Sequence, residues 1–420
     1  VSARPPIRNL RWGVAAMLCL SSELNYLDRQ TLSVLAATIQ QDLQLSDVDY
    51  SWITSAFLFS YTIMYAVSGK LVDVLGTRHS FLIFVSSWSV ANMLHGFART
   101  AWQLAFFRFL LGVAEPANFP GGVKAVSEWF PMRERALAVG IFNAGTALGG
   151  ALAVPIVSFI ALQWGWRWAF VATGSLGFLW IAVWAVFYRL PHEHPRISAE
   201  ERELILSDSA AEPPAAPVPM LRLLRMKAAW GCILARVLTD PVSYFLNFWI
   251  PKYLQSERGF SLADIGRYGW IPFAALTAGN IFSGAMPRWL VARGWPLSRA
   301  RKATMLVVSL AMPLLCFLVT RVEGAGVALA VMSALFFGHA AWGNITLPAE
   351  VFPKHVVGTI SGLGGFFGGI TGIVTQLPIG WVVQNLSFAP LFAAMSLTYL
   401  LALAGVHFLI GELGKVRDVR

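Results

Sequence analysis

Seven ionisable side chains stand inside stretches that are otherwise apolar and long enough to cross a bilayer: Glu23, Asp28, Arg29, Arg108, Glu115, Arg236 and Asp240. A charge at mid-bilayer costs about 2.5–3.5 kcal/mol on insertion scales, so such residues line a cavity, pair with one another or meet a charged ligand. Carboxylates and guanidinium groups in that setting offer two kinds of chemistry, proton exchange and anion recognition. Covalent catalysis is disfavoured, because no His-His or Cys-His arrangement falls near a membrane face. Cys19, Cys232 and Cys316 all lie within apolar runs and read as small buried hydrophobes, with neither disulfide nor metal spacing.

Local spacing assigns candidate roles. Tyr26 and Arg29 are three positions apart and share a helical face, whereas Asp28 is turned roughly 100° from Arg29. Arginine keeps its charge and presents a planar fork, which suits Arg29 to a ligand carboxylate; the alternative is a structural ion pair with Asp28 or Glu23. Arg108 and Glu115 lie two turns apart, ~10.5 Å along one face, too far to bond on a straight helix. Each needs a partner from another span, and Asp28 is the expected one for Arg108. Pro116 cannot donate to the carbonyl of Gly112, so the helix should bend beside Glu115. A buried carboxyl beside an arginine changes its protonation when the arginine moves or an anion arrives. Asp28 and Glu115 are therefore candidates to carry coupling protons, with Arg108 modulating them, or else the three form a static buried network. Arg236 and Asp240 are i, i+4 and either neutralise one another or serve as gate residues.

The elements that hold these residues follow from composition. Of 420 residues, 56% are hydrophobic and 13% charged, which argues against soluble domains. Twelve apolar spans can be drawn: 12–38, 50–74, 79–97, 101–127, 136–162, 166–188, 228–256, 265–292, 301–320, 325–348, 358–384 and 388–412. The net charge of +10 is a topology signal and implies no nucleic-acid partner. Of 32 cations, 23 cluster in alternate connections, the pattern of the positive-inside rule, so both termini should be cytoplasmic. The first span is long and charged, unlike a cleavable signal. One long polar segment, 189–227, separates residues 1–188 from 228–420; its Ser198 and Glu201 form a capping-box pattern, followed by a Pro/Ala-rich stretch. Glu128-Trp-Phe-Pro131 recurs as Glu350-Val-Phe-Pro353, 222 positions later, and Gly140 and Gly150 match Gly362 and Gly372 at the same offset. Paired six-helix halves are a repeat design of secondary transporters. Gly145 with Gly149, and Gly364 with Gly368 and Gly372, have the small-xxx-small spacing that permits close helix contact.

Motifs along the whole chain resemble the major facilitator superfamily. Gly69-Lys-Leu-Val-Asp73-Val-Leu-Gly76-Thr-Arg78 is similar to its signature between helices 2 and 3, and Pro191-His-Glu193-His-Pro195-Arg196 to the motif after helix 6. Asn25-Tyr26-Leu27-Asp28-Arg29, the stretch from Arg108 to Glu115-Pro116, and Ser127-Glu128-Trp129-Phe130-Pro131 resemble the anion:cation symporter branch. Arg236 to Pro241 and Asn247-Phe-Trp249-Ile-Pro251 are similar to its hexuronate-transporter group. The resemblance implies an all-α polytopic protein, twelve transmembrane helices in two pseudo-symmetric six-helix bundles, with helices 1, 4 and 7 around a central cavity. It implies a proton-coupled symporter that imports small organic anions, sugar acids such as hexuronate or aldonate, by alternating access. A symporter for an aromatic or short-chain acid is the alternative, and an efflux antiporter is disfavoured because helix 5 lacks a Gly-Pro pair. Tyr26, Tyr61, Asn143, Thr146, Asn247, Trp249, His339 and Trp342 would join Arg29 in substrate binding, with Asn344 nearby. Asp73 and Arg78 would bond helix ends and latch one conformation. Expected partners are the anion, protons and the bilayer of the bacterial inner membrane, around a monomer with no cofactor or metal. Two features depart from the pattern: the stretch from Gly284 to Lys302 lacks the acidic residue of the loop signature, and Glu23 is an acid the family pattern does not contain.

Overall fold

The computed structural model describes residues 7–208 and 218–413, and among them the helical segments group into twelve spans. The first span, α1 (10–43), runs through Leu10–Val34 and Ala36–Leu43. The continuous helix Asp47–His95 is broken at Gly76, whose φ of 74° only glycine adopts readily, giving α2 (47–75) and α3 (77–95). Next come α4 (101–129), α5 (Met132–Trp164) and α6 (Trp166–Phe187), then the linker helix Ala199–Asp208. The second set is α7 (Lys227–Arg258), α8 (262–292), α9 (Leu297–Arg321), α10 (325–351), α11 (Lys354–Asn385) and α12 (389–410). Among the described residues seven helices, counting Asp47–His95 once, are long and apolar enough to cross a membrane. Of the spans outside that set, α1, α4 and α7 hold all seven intramembrane charges, which is why their hydropathy falls short.

Chain ends of these helices are set by ordinary chemistry. Ser46 and Asp49 form a reciprocal capping box that starts α2, and Thr100 accepts from the Gln103 N–H at the start of α4. The sequence-expected box at the linker helix forms only half: Ser198 Oγ accepts from Glu201 N at 3.2 Å. Glu201 turns its carboxylate instead to the start of α1, accepting from Leu10 N (2.9 Å), Arg11 N (3.1 Å) and Arg11 Nη1 (2.8 Å). Asn9, in the left-handed region, supplies no side-chain cap there, so the orphan amides of α1 are satisfied from the linker.

Packing repeats across the halves. α1 lies on α5 as α7 lies on α11, α3 on α6 as α9 on α12, and α2 on α4 as α8 on α10; the halves meet through α2 with α11, α5 with α8 and α1 with α7. Glycines set the closest approaches. A Cβ at Gly145 or Gly149 would stand 2.1 or 2.2 Å from the carbonyl oxygens of Cys19 and Glu23 on α1. On α11, Gly364, Gly368 and Gly372 make room for Arg236, Asp240 and Tyr244, one turn apart on α7.

Among the described residues the hydrogen bonds and ion pairs given between the halves fall from mid-membrane to the end away from the linker, here the far end. They run from Gln30 to Asn247, Thr54 to Gln376, Tyr50 to the Phe248 carbonyl, Val48 to Gln384, and Gln40 and Asp47 to Lys252. At the linker end, a Cβ on Gly140, Gly284, Gly358 or Gly362 would meet nothing within 4 Å.

Candidate functional site

α4 changes character where Pro116 removes a helix donor: Ala101–Ala114 is α-helical, Glu115–Ala117 is a 3-10 turn, and Asn118–Trp129 resumes the helix. The turn delivers Glu115 to α1. Arg29 Nη2 and Nε both donate to Glu115 Oε2, at 2.8 and 3.1 Å. Both side chains are largely buried, Arg29 at 11% and Glu115 at 0% exposure. The Arg29 guanidinium also lies 4.7 Å from the rings of Tyr26 and Tyr61 and 5.2 Å from Phe57, so aromatic faces surround the cation where the carboxylate does not. Glu115 Oε1 finds no protein donor.

The sequence pairing of Asp28 with Arg108 is replaced by two separate arrangements. Asp28, turned away from Arg29 as the helical period requires, faces α3 and α6: Asn92 Nδ2 donates to its Oδ1 at 2.6 Å and to Thr173 Oγ1 at 2.8 Å. Its Oδ2 has no protein partner. Arg108, fully buried, donates from Nη2 to the Arg29 carbonyl at 2.7 Å and lies 5.1 Å from the Phe57 ring, while Nε and Nη1 are unmatched. Arg108 thus braces the backbone that carries Arg29. Gly112 makes this possible, since a Cβ there would come within 2.2 Å of Ser60 Oγ and hold α4 off α2. Asn118 continues the seam by bonding Ser21 and Ser22. Glu23 turns its backbone to Gly149 and is half-buried.

In the second half, Arg236 Nε donates to both oxygens of Asp240 at 2.8 Å, and Asn344 adds a bond to Asp240 Oδ1 at 3.3 Å and to Thr239 Oγ1 at 2.7 Å. Tyr65 and the Arg236 guanidinium approach the same point, 3.7 and 3.8 Å from a Cβ built on Gly365, so the aromatic row Phe57, Tyr61, Tyr65 leads from Arg29 to Arg236. Asn247 sits at the seam, accepting from Gln30 at 2.8 Å and donating to the Ser243 carbonyl.

The remaining sequence candidates divide. Asn143 and Thr146 are half-buried on α5, with Thr146 Oγ1 turned to the Asn143 carbonyl. Trp249 and Trp342 are 0% exposed; their indole N–H groups donate to Gln376 (3.0 Å) and Ser309 (2.9 Å). Trp342 packs inside the second half, while the Trp249 ring meets Tyr50 of the first half edge-on at 5.0 Å, so in this state both indoles are enclosed by protein. His339 meets Tyr399 at 2.7 Å in the same core. Asp73 pairs with Lys124 of α4 at 3.0 Å, and Arg78 donates to the Ala185 carbonyl at the end of α6 at 2.6 Å, so both gate candidates bond within the first half. Asn92 and Thr173 escaped notice because a single amide or hydroxyl in a span without charge leaves no periodic signal. Among the described residues no cluster of three or more His, Cys, Asp or Glu could hold a metal.

Comparison with known proteins places this geometry. The chain is 33% identical to the hexuronate transporter of Escherichia coli strain K12, over 94% of this chain and 93% of that protein. It is 37% identical to the galacturonate transporter of Dickeya chrysanthemi over 67% of this chain and 82% of the other. The crystal structure of a D-xylose-proton symporter superposes with a TM-score of 0.75 at 14% identity, covering 96% of this chain and 98% of that one. An inward-open structure of the E. coli xylose transporter scores 0.73, also at 14% identity, over 97% and 98%. Two matches below a quarter identity speak to fold alone; the family model for the Major Facilitator Superfamily matches residues 18–376, and on that match the chain belongs to this superfamily of membrane transporters and is not an enzyme.

Proposed function

We propose that the chain imports sugar acids, hexuronates or aldonates, together with protons. The observation that carries this reading is the Arg29–Glu115 pair. A substrate carboxylate that takes the guanidinium must displace Glu115, and a displaced, buried carboxylate is stable only when protonated. Anion and proton binding are then linked without further parts. Asp28, turned about 100° from Arg29 around α1 and with one oxygen unmatched, is a second proton carrier, and Arg108, braced on the Arg29 carbonyl, couples the two. Tyr26, Tyr61 and Asn247 surround the anion with hydroxyl and amide groups suited to a polyhydroxylated ligand. The names of the relatives, a hexuronate and a galacturonate transporter, support the substrate class.

Transport proceeds by alternating access between residues 1–188 and 228–420, joined by the linker 189–227. With the basic linker cytoplasmic, the inter-half bonds at the far end and the open space beside Gly140, Gly358 and Gly362 support an inward-facing state of a monomer in the bacterial inner membrane. In that state Asp73 and Arg78, gate residues of the first half, bond within that half among the described residues.

A thermal-shift screen of purified protein against hexuronates, aldonates, aldarates and aromatic acids tests the substrate class, since a ligand of the folded form raises its apparent stability. Stabilisation by hexuronate or aldonate, with uptake into liposomes driven by an inward proton gradient, is the expected result. Stabilisation by aromatic acids alone, or uptake indifferent to the gradient, removes the reading.

A further inference from the structure

At the far end one cation of the second half depends wholly on the first. Lys252 of α7 is 9% exposed and flanked by Ile250, Tyr253 and Leu254, each 2% exposed. Its ammonium donates to Gln40 Oε1 of α1 at 2.6 Å and pairs with Asp47 at the start of α2. Gln40 Nε2 in turn donates to Asp47 Oδ1 and to the Ser46 carbonyl, both at 3.0 Å, so three groups close one ring across the seam. These two are the only side-chain partners of Lys252 among the described residues, whereas Asp47 is independently favoured as the first residue of a helix. A buried ammonium stripped of its partners is unfavourable until water reaches it, so the halves cannot part here by small degrees.

We propose that Lys252 and Asp47, bridged by Gln40, are the gate that holds the far end closed and sets the balance between the two access states. They are positioning residues, remote from Arg29, and the inference rests on the alternating-access reading above. Ser51 against Gly380 and Thr54 bonded to Gln376 pack the seam beneath but carry no charge, so they leave the ion pair as the switchable element.

Spin labels at Gln44 and Leu386, exposed far-end sites in opposite halves, report the opening in a background with Cys19, Cys232 and Cys316 replaced by alanine. Pulsed dipolar distances are measured for the parent, Asp47→Asn, Lys252→Met and the exchanged pair Asp47→Lys with Lys252→Asp. Each single variant should enrich the long-distance population about tenfold relative to the short one, and the exchanged pair should bring most of it back. An unchanged distribution in the single variants overturns the proposal. A shift that the exchanged pair fails to reverse, although it melts like the parent, overturns it too, because packing alone would then close the seam. Galacturonate binding by thermal shift is read on the same samples. Binding retained with no distance change sinks only the gate, and loss of binding in the parent sinks the transport reading beneath it.

Discussion

Replacing Glu115 by glutamine isolates the linkage between anion and proton. In the wild type one carboxylate occupies the guanidinium of Arg29, through Nη2 and Nε, and Asp28 makes no contact with it. If a substrate anion takes Arg29 as proposed, it binds only the fraction of molecules in which Glu115 is protonated, and the apparent Kd is the intrinsic value divided by that fraction. Where Glu115 is ionised, one proton per anion gives a tenfold loss of affinity per pH unit, about 1.36 kcal/mol. The sign is fixed: sugar acids stay anionic above about pH 5, so affinity must fall as pH rises. In Glu115→Gln the competing charge is absent at every pH, so affinity should be nearly flat and, at the alkaline end, tighter than wild type by the accumulated factor. Titration calorimetry of galacturonate between pH 5.5 and 8.5 reads both slopes. Counterflow exchange should survive in the variant while proton-driven accumulation fails. A variant that kept the wild-type slope would show that another group exchanges the proton, and a wild-type slope near two would bring Asp28 into the binding step itself.

Three further outcomes follow from the same geometry. Arg29→Lys keeps the charge but loses the fork and the contacts with Tyr26 and Tyr61 at 4.7 Å, so galacturonate affinity should drop at least tenfold, roughly 1.4 kcal/mol, by calorimetry. If both Asp28 and Glu115 carry protons, a monoanion enters with net charge +1, favoured by ~2.3 kcal/mol per 100 mV of inside-negative potential. Potassium-diffusion potentials in liposomes should then stimulate uptake, and voltage-independent uptake assigns coupling to one acid alone. Gly149→Ala places a methyl 2.2 Å from the Glu23 carbonyl oxygen, a backbone atom that cannot swing aside, and should destabilise by ~1–3 kcal/mol in a melting assay. Gly140→Ala, with nothing within 4 Å, is its neutral control.

Local rules read the fold well and the site in part. Apolar runs located the spans to within a few residues, and the glycine spacing on α5 and α11 did mark the close helix contacts. The repeat of Glu128-Trp-Phe-Pro131 at Glu350 and the linker are the sequence features that suggest a division into 1–188 and 228–420. Sequence also selected Arg29, Glu115, Asp28 and Arg108 as one neighbourhood, because charge in an apolar run has few explanations. It could not choose their partners. Whether Glu115 or Asp28 reaches an arginine depends on how far the 3-10 turn at Pro116 rotates one helix against another, a tertiary quantity with no signature in spacing. Glu201 illustrates the same limit from the other side. Its local motif pointed to Ser198, and a cap 191 residues away took its carboxylate instead. The burial of Trp249 and Trp342 was not legible either, because an indole beside a motif reads alike whether it faces a ligand or a core.

The halves share a plan but differ in where that plan is broken. In α4 the 3-10 turn begins at Glu115, thirteen positions before Glu128, and so places an acid at mid-depth against Arg29. In α10 the break follows Gly343, at φ 69°, and its 3-10 turn starts at Asn344, only six positions before Glu350. That shallower break serves a different purpose. Arg301, fully buried, donates to the carbonyls of Ser283 and Gly343 at 2.5 Å, meets Thr346, and pairs with Glu350 at 3.1 Å, tying α8, α9 and α10 together at the linker end. The acid missing from the second-half loop is thus matched by an ion pair one helix away. In the first half the corresponding Glu128 is held by neutral partners, Thr77 at 2.9 Å and Tyr188 at 2.5 Å, leaving Arg78 for a helix end. Arg236 is instead held by Asp240 on its own helix, so that pair does not bridge two helices as Arg29 and Glu115 do. On the proposed reading, proton-linked recognition would belong to the junction of α1 and α4, where Arg29 and Glu115 pair across two helices, with the second half as the wall that moves.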